Sequence, residues 1–213
     1  PTYTQIQNVD LTEPQIARLD QISSHIADLP LIVHDQPAMR LGEMSRAVRR
    51  YKRRMEREGR ALELVVVDYL QLAEPDEKSK GGNQQYQDVT RISKGLKALA
   101  KRLNVHVVAL AQVSRNCEAR DDKRPQLADL RDSGAIEQDA DNVVFVYREE
   151  YYLQRETPKP AKADEHAARL ENCKNRLELI CAKRRNGPIG RKLMWFVGSH
   201  QAVRGEDWRW PRG

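Results

Sequence analysis

Apolar residues recur at three- and four-residue steps in some stretches of this chain and in unbroken runs in others. Ile16, Leu19, Ile22, Ile26 and Leu29 follow helical spacing behind Thr12-Glu13-Pro14-Gln15. That opening is a capping-box pattern with proline in the first turn, and Pro30 stops the helix. Leu41, Met44, Val48, Tyr51 and Met55 predict a second helix, ended by Gly59; Val89, Ile92, Leu96, Leu99 and Leu103 predict a third. The runs LELVVVD (62–68), VHVVALAQ (105–112) and NVVFVYR (142–148) predict strands covered on both faces, and LIVHD (31–35) a short one. LELICAKR (177–184) and RKLMWFV (191–197) flank NGPIG and predict a β-hairpin. Residues 73–85 read as a mobile loop, 113–133 as a polar connection, and 154–176 as a surface insertion with a short helix near 163–172. The end, from residue 199, reads as a tail. Strands alternating with helices predict an α/β layered sandwich with a mostly parallel sheet.

Composition narrows the partners. Of 213 residues, 39% are apolar, enough for a core, and 32% are charged, with a net charge of +6. The isoelectric point near 9.3 favours polyanions, nucleic acid above all. Cys117, Cys173 and Cys181 form no CxxC and no metal-ligand spacing, and their odd number points to reduced thiols in a cytosolic compartment. No apolar run approaches the roughly 18–20 residues needed to cross a bilayer. No signal peptide is visible, and a chain starting at Pro1 is expected to lack its true N-terminus. The second helix carries Arg46, Arg49, Arg50, Arg53, Arg54 and Arg57 on its polar side, either a solvated face or a nucleic-acid groove.

Chemistry gathers where strands end. Ligands of open α/β sheets bind outside the carboxyl ends of the strands. Asp68 closes the run 62–68, where a carboxylate in a nucleotide site holds Mg²⁺ directly or through water; a capping residue is the plainer alternative. Gln112 closes the run 105–112. If the two strands are neighbours, both side chains meet at one sheet edge, a sensible pair for nucleotide hydrolysis.

Four segments coincide with one family. VVVDYLQL (65–72), VVALAQVSR (107–115), DLRDSGAIEQDADNVVFVYR (129–148) and AKRRNGPIG (182–190) resemble, in order and spacing, the ATPase domain of bacterial replicative hexameric DNA helicases of the DnaB type. The resemblance spans about residues 10 to 200 and includes the helix ISKGLKALAKRLNV (92–105). It implies a three-layer RecA-like sandwich with a mostly parallel central sheet and a C-terminal β-hairpin. It implies ATP and Mg²⁺ as cofactors, with Asp68 as the metal-supporting Walker B aspartate and Gln112 as the glutamine that senses the γ-phosphate. Lys183 and Arg185 match the basic pair that reaches the ATP site of the next subunit; Arg184 stands where the family is often uncharged. Gly187, Pro188 and Gly190 build the turn that aims them. Residues 129–135 resemble a DNA-binding loop: Arg131 pairs with a phosphate, while Asp132 and Gly134 bring backbone N–H groups to phosphate oxygens. Lys78, Lys80, Arg115, Arg120, Lys123 and Arg124 are lesser candidates, with solvated loops the stronger reading. The partners implied are single-stranded DNA, other subunits of a homo-hexamer, a primase and a helicase loader, with no membrane.

The sequence also departs from that family. It holds no GxxxxGK[ST] phosphate loop, which the family places upstream with its catalytic glutamate. The sheet is therefore expected to lack its N-terminal strands, leaving apolar surface for a neighbour to cover, and the 213-residue chain alone is expected not to hydrolyse ATP. A nonhydrolytic module that binds single-stranded DNA or caps a helicase ring is the alternative. A recombinase or circadian-clock ATPase shares the Asp-ended strand but not DLRDSGAIEQDAD with NGPIG.

Overall fold

In the computed structural model, residues 1–36, 38–77, 84–130 and 134–207 are described. Their elements are α1 (Tyr3–Gln7), α2 (Glu13–Ala27), β1 (Met39–Arg40), α3 (Leu41–Arg57), β2 (Leu64–Val67), β3 (Ala73–Glu74), α4 (Gln84–Leu103), β4 (His106–Ala109), α5 (Gly134–Asp139), β5 (Asn142–Tyr147), α6 (Glu149–Leu153), α7 (Ala163–Cys173), β6 (Arg176–Arg184), β7 (Gly190–Val197) and β8 (Ala202–Arg204). β1 pairs with β3 and β2 with β4, both in parallel, and a third sheet runs in the order β5-β6-β7-β8. The strand β8 and the helix α7 fall inside the segments read from sequence as a tail and an insertion. Among the described residues no helix is long and apolar enough to cross a membrane.

The chain divides into two units. One comprises Asp35–Phe145 and Cys181–Gly190. Its core joins Met44 and Val48 of α3, Val67 of β2, Val89, Ile92, Leu96 and Leu99 of α4, and Val105. The helical periods predicted these faces, and burying them supplies most of the helices' stability. Helix α4 carries Gly95 where α3 presses closest: a Cβ there would stand 1.9 Å from Leu41 Cδ2. Two further links bind these helices, from Arg102 to the Ser45 hydroxyl at 2.6 Å and from Lys52 Nζ to the Leu103 carbonyl at 2.9 Å.

The other unit comprises Pro1–His34, Val146–Ile180 and Arg191–Gly213. Arg148 lies 4.0 Å from the centre of the Phe196 ring and pairs with Glu150 at 2.9 Å. Glu150, buried, also accepts the Asn175 amide at 3.2 Å.

Two expectations change. Residues 31–35 form no strand, because an extended segment becomes one only beside a hydrogen-bonding neighbour, and none of the described strands pairs there; Leu31 and Val33 are exposed. Strands β2, β4 and β5 are not covered on both faces: Leu64, Val66, Val108 and Val144 stand outward, uncovered by any described element. Helix α2 forms with the predicted Thr12–Gln15 capping box, yet Ile16, Ile22 and Ile26 of its apolar face remain exposed.

Candidate functional site

β2 and β4 are hydrogen-bonded neighbours, in register from Leu64 opposite His106 to Val67 opposite Ala109. The condition set by the sequence is therefore met, and Asp68 and Gln112 follow the same end of one parallel pair. Backbone bonds carry the pairing past the strands, from Leu110 N to Val67 O at 2.9 Å and from Leu70 N to Leu110 O at 2.8 Å. Gln112 lies three residues beyond β4 rather than at its last position. The Gln71 side chain holds it there, accepting the Gln112 amide at 3.3 Å and donating to its carbonyl at 3.5 Å. Asp68 is exposed, and no described residue donates a hydrogen bond to its carboxylate. Mg²⁺ usually takes one or two protein carboxylates and fills its octahedron with water and phosphate oxygens, so a lone, unspent Asp fits it. No group of three His, Cys, Asp or Glu side chains that could hold a metal by itself occurs among the described residues.

The basic pair on β6 and its turn belongs to the same unit. Lys183 Nζ donates to the carbonyls of Glu137 and Gln138, and Arg185 Nη2 donates to Gln138 O at 3.2 Å. The last carbonyls of a helix have no partner within it, so two cations here cap the C-terminus of α5. Arg185 also pairs with Asp141 at 3.2 Å, and its amide donates to Asp141 O at 2.8 Å. Half of the Arg185 side chain stays exposed. Asp141 receives Lys97 as well, and Lys97 first, then Arg185 and Lys101, hold its carboxyl below the usual range. The Arg184 side chain lies over the turn, where a Cβ on Gly187 would stand 2.8 Å from its Nε.

Gly134 opens α5, the same helix whose other end Lys183 and Arg185 cap. Among the described residues, a Cβ at Gly134 would meet nothing nearer than the Tyr86 hydroxyl at 3.9 Å. Arg131, Asp132, Lys78 and Lys80 lie outside the described residues.

Upstream of that loop, Arg120 is committed internally. It forms two bonds to the Asp129 carboxylate, at 3.0 and 2.6 Å, and one to the Arg124 carbonyl at 2.9 Å. Asp129 is buried, and the Arg120 guanidinium holds its carboxyl below the usual range. This overturns Arg120 as a candidate for phosphate, since the guanidinium already has its anion. Arg124 pairs with Asp122 at 3.2 Å. A depressed native pKa contributes stability that is complete above the unfolded carboxyl value, near 4, and is lost as pH falls through the lower native value. Asp129→Asn is expected to cost about 2 kcal/mol at pH 7, because Arg120 keeps some solvent contact, and to remove that acid-dependent component below about pH 4. Urea unfolding at several pH values measures both.

Sequence reasoning did not assign Gln71 or Asp141. Both lie inside the segments VVVDYLQL and DLRDSGAIEQDAD that carried the resemblance. Cys117, Cys173 and Cys181 are free thiols, and burial pushes Cys117 and Cys173 up.

Comparison with known proteins bears on this arrangement. The family described as the DnaB-like helicase C terminal domain matches residues 2–204. The replicative DNA helicase DnaB of Rickettsia typhi is 40% identical over 195 residues, covering 91% of this chain and 38% of that protein. The replicative DNA helicase DnaC of Bacillus subtilis is 39% identical over 188 residues, 88% of this chain and 37% of that protein. The chain thus spans less than two fifths of the length of these relatives. A solved structure of a DnaB-like replicative helicase, studied with its interactions with primase, superposes on 96% of this chain and 44% of its own, with a TM-score of 0.77 and 31% identity. A second solved structure, of an ATPase domain, covers 96% of this chain and 66% of its own, with a TM-score of 0.78 and 30% identity. The expected RecA-like α/β architecture is the one these structures share with it.

Proposed function

Because this chain belongs to the DnaB-like helicase C-terminal domain family, we propose that it is part of the motor of a replicative DNA helicase. The whole protein hydrolyses ATP with Mg²⁺ at subunit interfaces of a homo-hexameric ring, translocates on single-stranded DNA and unwinds duplex DNA in the cytoplasm. One observation carries this reading. Asp68 and Gln112 follow the same end of one parallel strand pair, while in the same unit the half-exposed Arg185 caps the helix that begins at Gly134.

Asp68 would hold Mg²⁺, which would supply positive charge against the charge that develops during phosphoryl transfer. Gln112, whose backbone Gln71 braces, would contact the γ-phosphate or its attacking water. Arg185 and Lys183 serve the neighbouring subunit's site, where a guanidinium supplied in trans matches the planar phosphoryl oxygens. In the isolated chain both cations rest on α5 carbonyls. Turning them toward a neighbour's triphosphate would release the C-terminus of α5, and with it the segment after Leu130 that would grip DNA through Arg131, Asp132 and Gly134. Nucleotide state and DNA grip are thus linked through one short helix. A primase and a helicase loader are the protein partners this reading supplies.

Subunit mixing tests the shared pocket. Asp68→Ala and Arg185→Ala are each expected to be inactive alone in DNA-stimulated ATP hydrolysis. Co-assembled at equal amounts, they should recover part of the wild-type rate, since about a quarter of random interfaces then pair an intact Asp68 with an intact Arg185. No recovery in rings shown to be mixed would place both residues in one subunit's site.

A further inference from the structure

Arg185 is tied to Asp141 at both ends. Its amide donates to the Asp141 carbonyl at 2.8 Å, and its Nη1 pairs with Asp141 Oδ1 at 3.2 Å. An arginine side chain is long and rich in rotamers, so a partner that holds its backbone and its tip together removes most of them. The remaining tie, from Nη2 to Gln138 O at 3.2 Å, ends on a neutral carbonyl. A carboxylate attracts the guanidinium as a full charge, which a carbonyl does not. When Arg185 turns toward a neighbour's triphosphate, the Gln138 bond is therefore the one to break, and Asp141 stays as the pivot.

Asp141 is in turn fixed to α4. Its Oδ2 accepts Lys97 Nζ, and one turn earlier on the same helix the Ser93 hydroxyl donates to Asp139 Oδ2 at 2.9 Å. Residues four apart share a helix face, so α4 grips the segment 139–141 at two points. The helix itself does not yield, since Ile92 and Leu99 beside these two residues are each 2% exposed in the core of the unit. Each Asp141 oxygen has its own cation, Arg185 on Oδ1 and Lys97 on Oδ2. The carboxylate thus keeps a counter-charge while the guanidinium swings. Asp141 is half exposed, and ion pairs open to solvent add little to stability. The consequence of this network lies in where Arg185 points.

We propose that Asp141 is a positioning residue for Arg185: a carboxylate anchored by Lys97 that confines the guanidinium to a short arc toward the phosphoryl group in the neighbouring subunit's site. The inference rests on the assignment of Arg185 to that site. A group that must meet charge developing on phosphoryl oxygens loses most of its effect when misplaced by about an ångström, so its holder governs the rate without touching substrate.

The test uses the whole protein. Asp141→Asn keeps the shape of the side chain and removes its charge. Its turnover number for DNA-stimulated ATP hydrolysis is expected to fall about tenfold, with affinity for a fluorescent nucleotide within about twofold of wild type. The defect should act in trans. In rings mixed at equal amounts with Asp68→Ala, the rate should rise to about a quarter of wild type, above that of either variant alone, because intact Asp68 then meets well-held Arg185. Mixing Asp141→Asn with Arg185→Ala should give no such gain. A change that merely damaged the fold of its own subunit would not divide in this way. Wild-type turnover in Asp141→Asn, a rise above it, or an equal loss of nucleotide affinity would overturn the proposal. If Asp141→Asn lowers the urea midpoint markedly, Lys97→Met decides: a loss of turnover of about threefold or more, relieved by Asp68→Ala subunits, supports the proposal, and unchanged turnover overturns it. Failure of Asp68→Ala and Arg185→Ala to complement each other would instead overturn the shared pocket itself.

Discussion

Arg185→Ala in the whole protein is expected to lower the turnover number for ATP hydrolysis by about a thousandfold or more while leaving nucleotide affinity within about threefold of wild type. A guanidinium supplied from a neighbour acts on charge that grows only as the phosphoryl group transfers, so its loss falls on the rate rather than on binding. A thousandfold corresponds to about 4 kcal/mol of transition-state stabilisation. The geometry supports this division of roles. Arg185 is half exposed, held on the α5 carbonyls and Asp141 and not enclosed among apolar groups. Removing it therefore leaves no buried cavity. Steady-state ATPase kinetics beside equilibrium binding of a fluorescent nucleotide distinguish the outcomes. A loss of affinity equal to the loss of rate would make Arg185 part of the ground-state cradle.

Leu99→Ala is expected to destabilise the protein by about 3 kcal/mol, read as a lower urea midpoint with an unchanged slope. Leu99 is 2% exposed and sits in the cluster that joins α3, β2 and α4. Its neighbours are fixed from several directions, since Gly95 already brings α4 against Leu41 and Arg102 ties it to Ser45. A site held this way collapses little around a missing side chain, so a cavity penalty adds to the lost transfer energy. The same substitution at Ile26 of α2, half exposed, should cost far less in this chain, because little burial is lost there.

Period alone made the helices legible. Steps of three and four marked α2, α3 and α4, and the apolar runs marked β2, β4, β5 and the β6–β7 hairpin. It failed at 31–35, where β-branched residues without a partner strand stay unpaired, and it did not foresee α1, whose only sequence signal is a Thr2–Gln5 capping box. Candidate site residues could be put forward from the sequence where a residue's own type carries the chemistry, as with Asp68, Gln112, Lys183 and Arg185. Bonding partners were not legible: Arg120, a lesser candidate beside the stronger reading of a solvated loop, is bonded to Asp129, and Gln71 and Asp141 had no local signal to separate them from solvated polar residues.

The sequence by itself determined most of the element types, the family and the identity of the chemical groups, because periodicity and residue chemistry are local properties. Tertiary structure alone decided that β2 lies beside β4, that Lys183 and Arg185 rest on α5, and that Arg120 pairs with Asp129. Each of those facts depends on distances between residues far apart in the chain, and such distances are set by packing, which no single segment encodes.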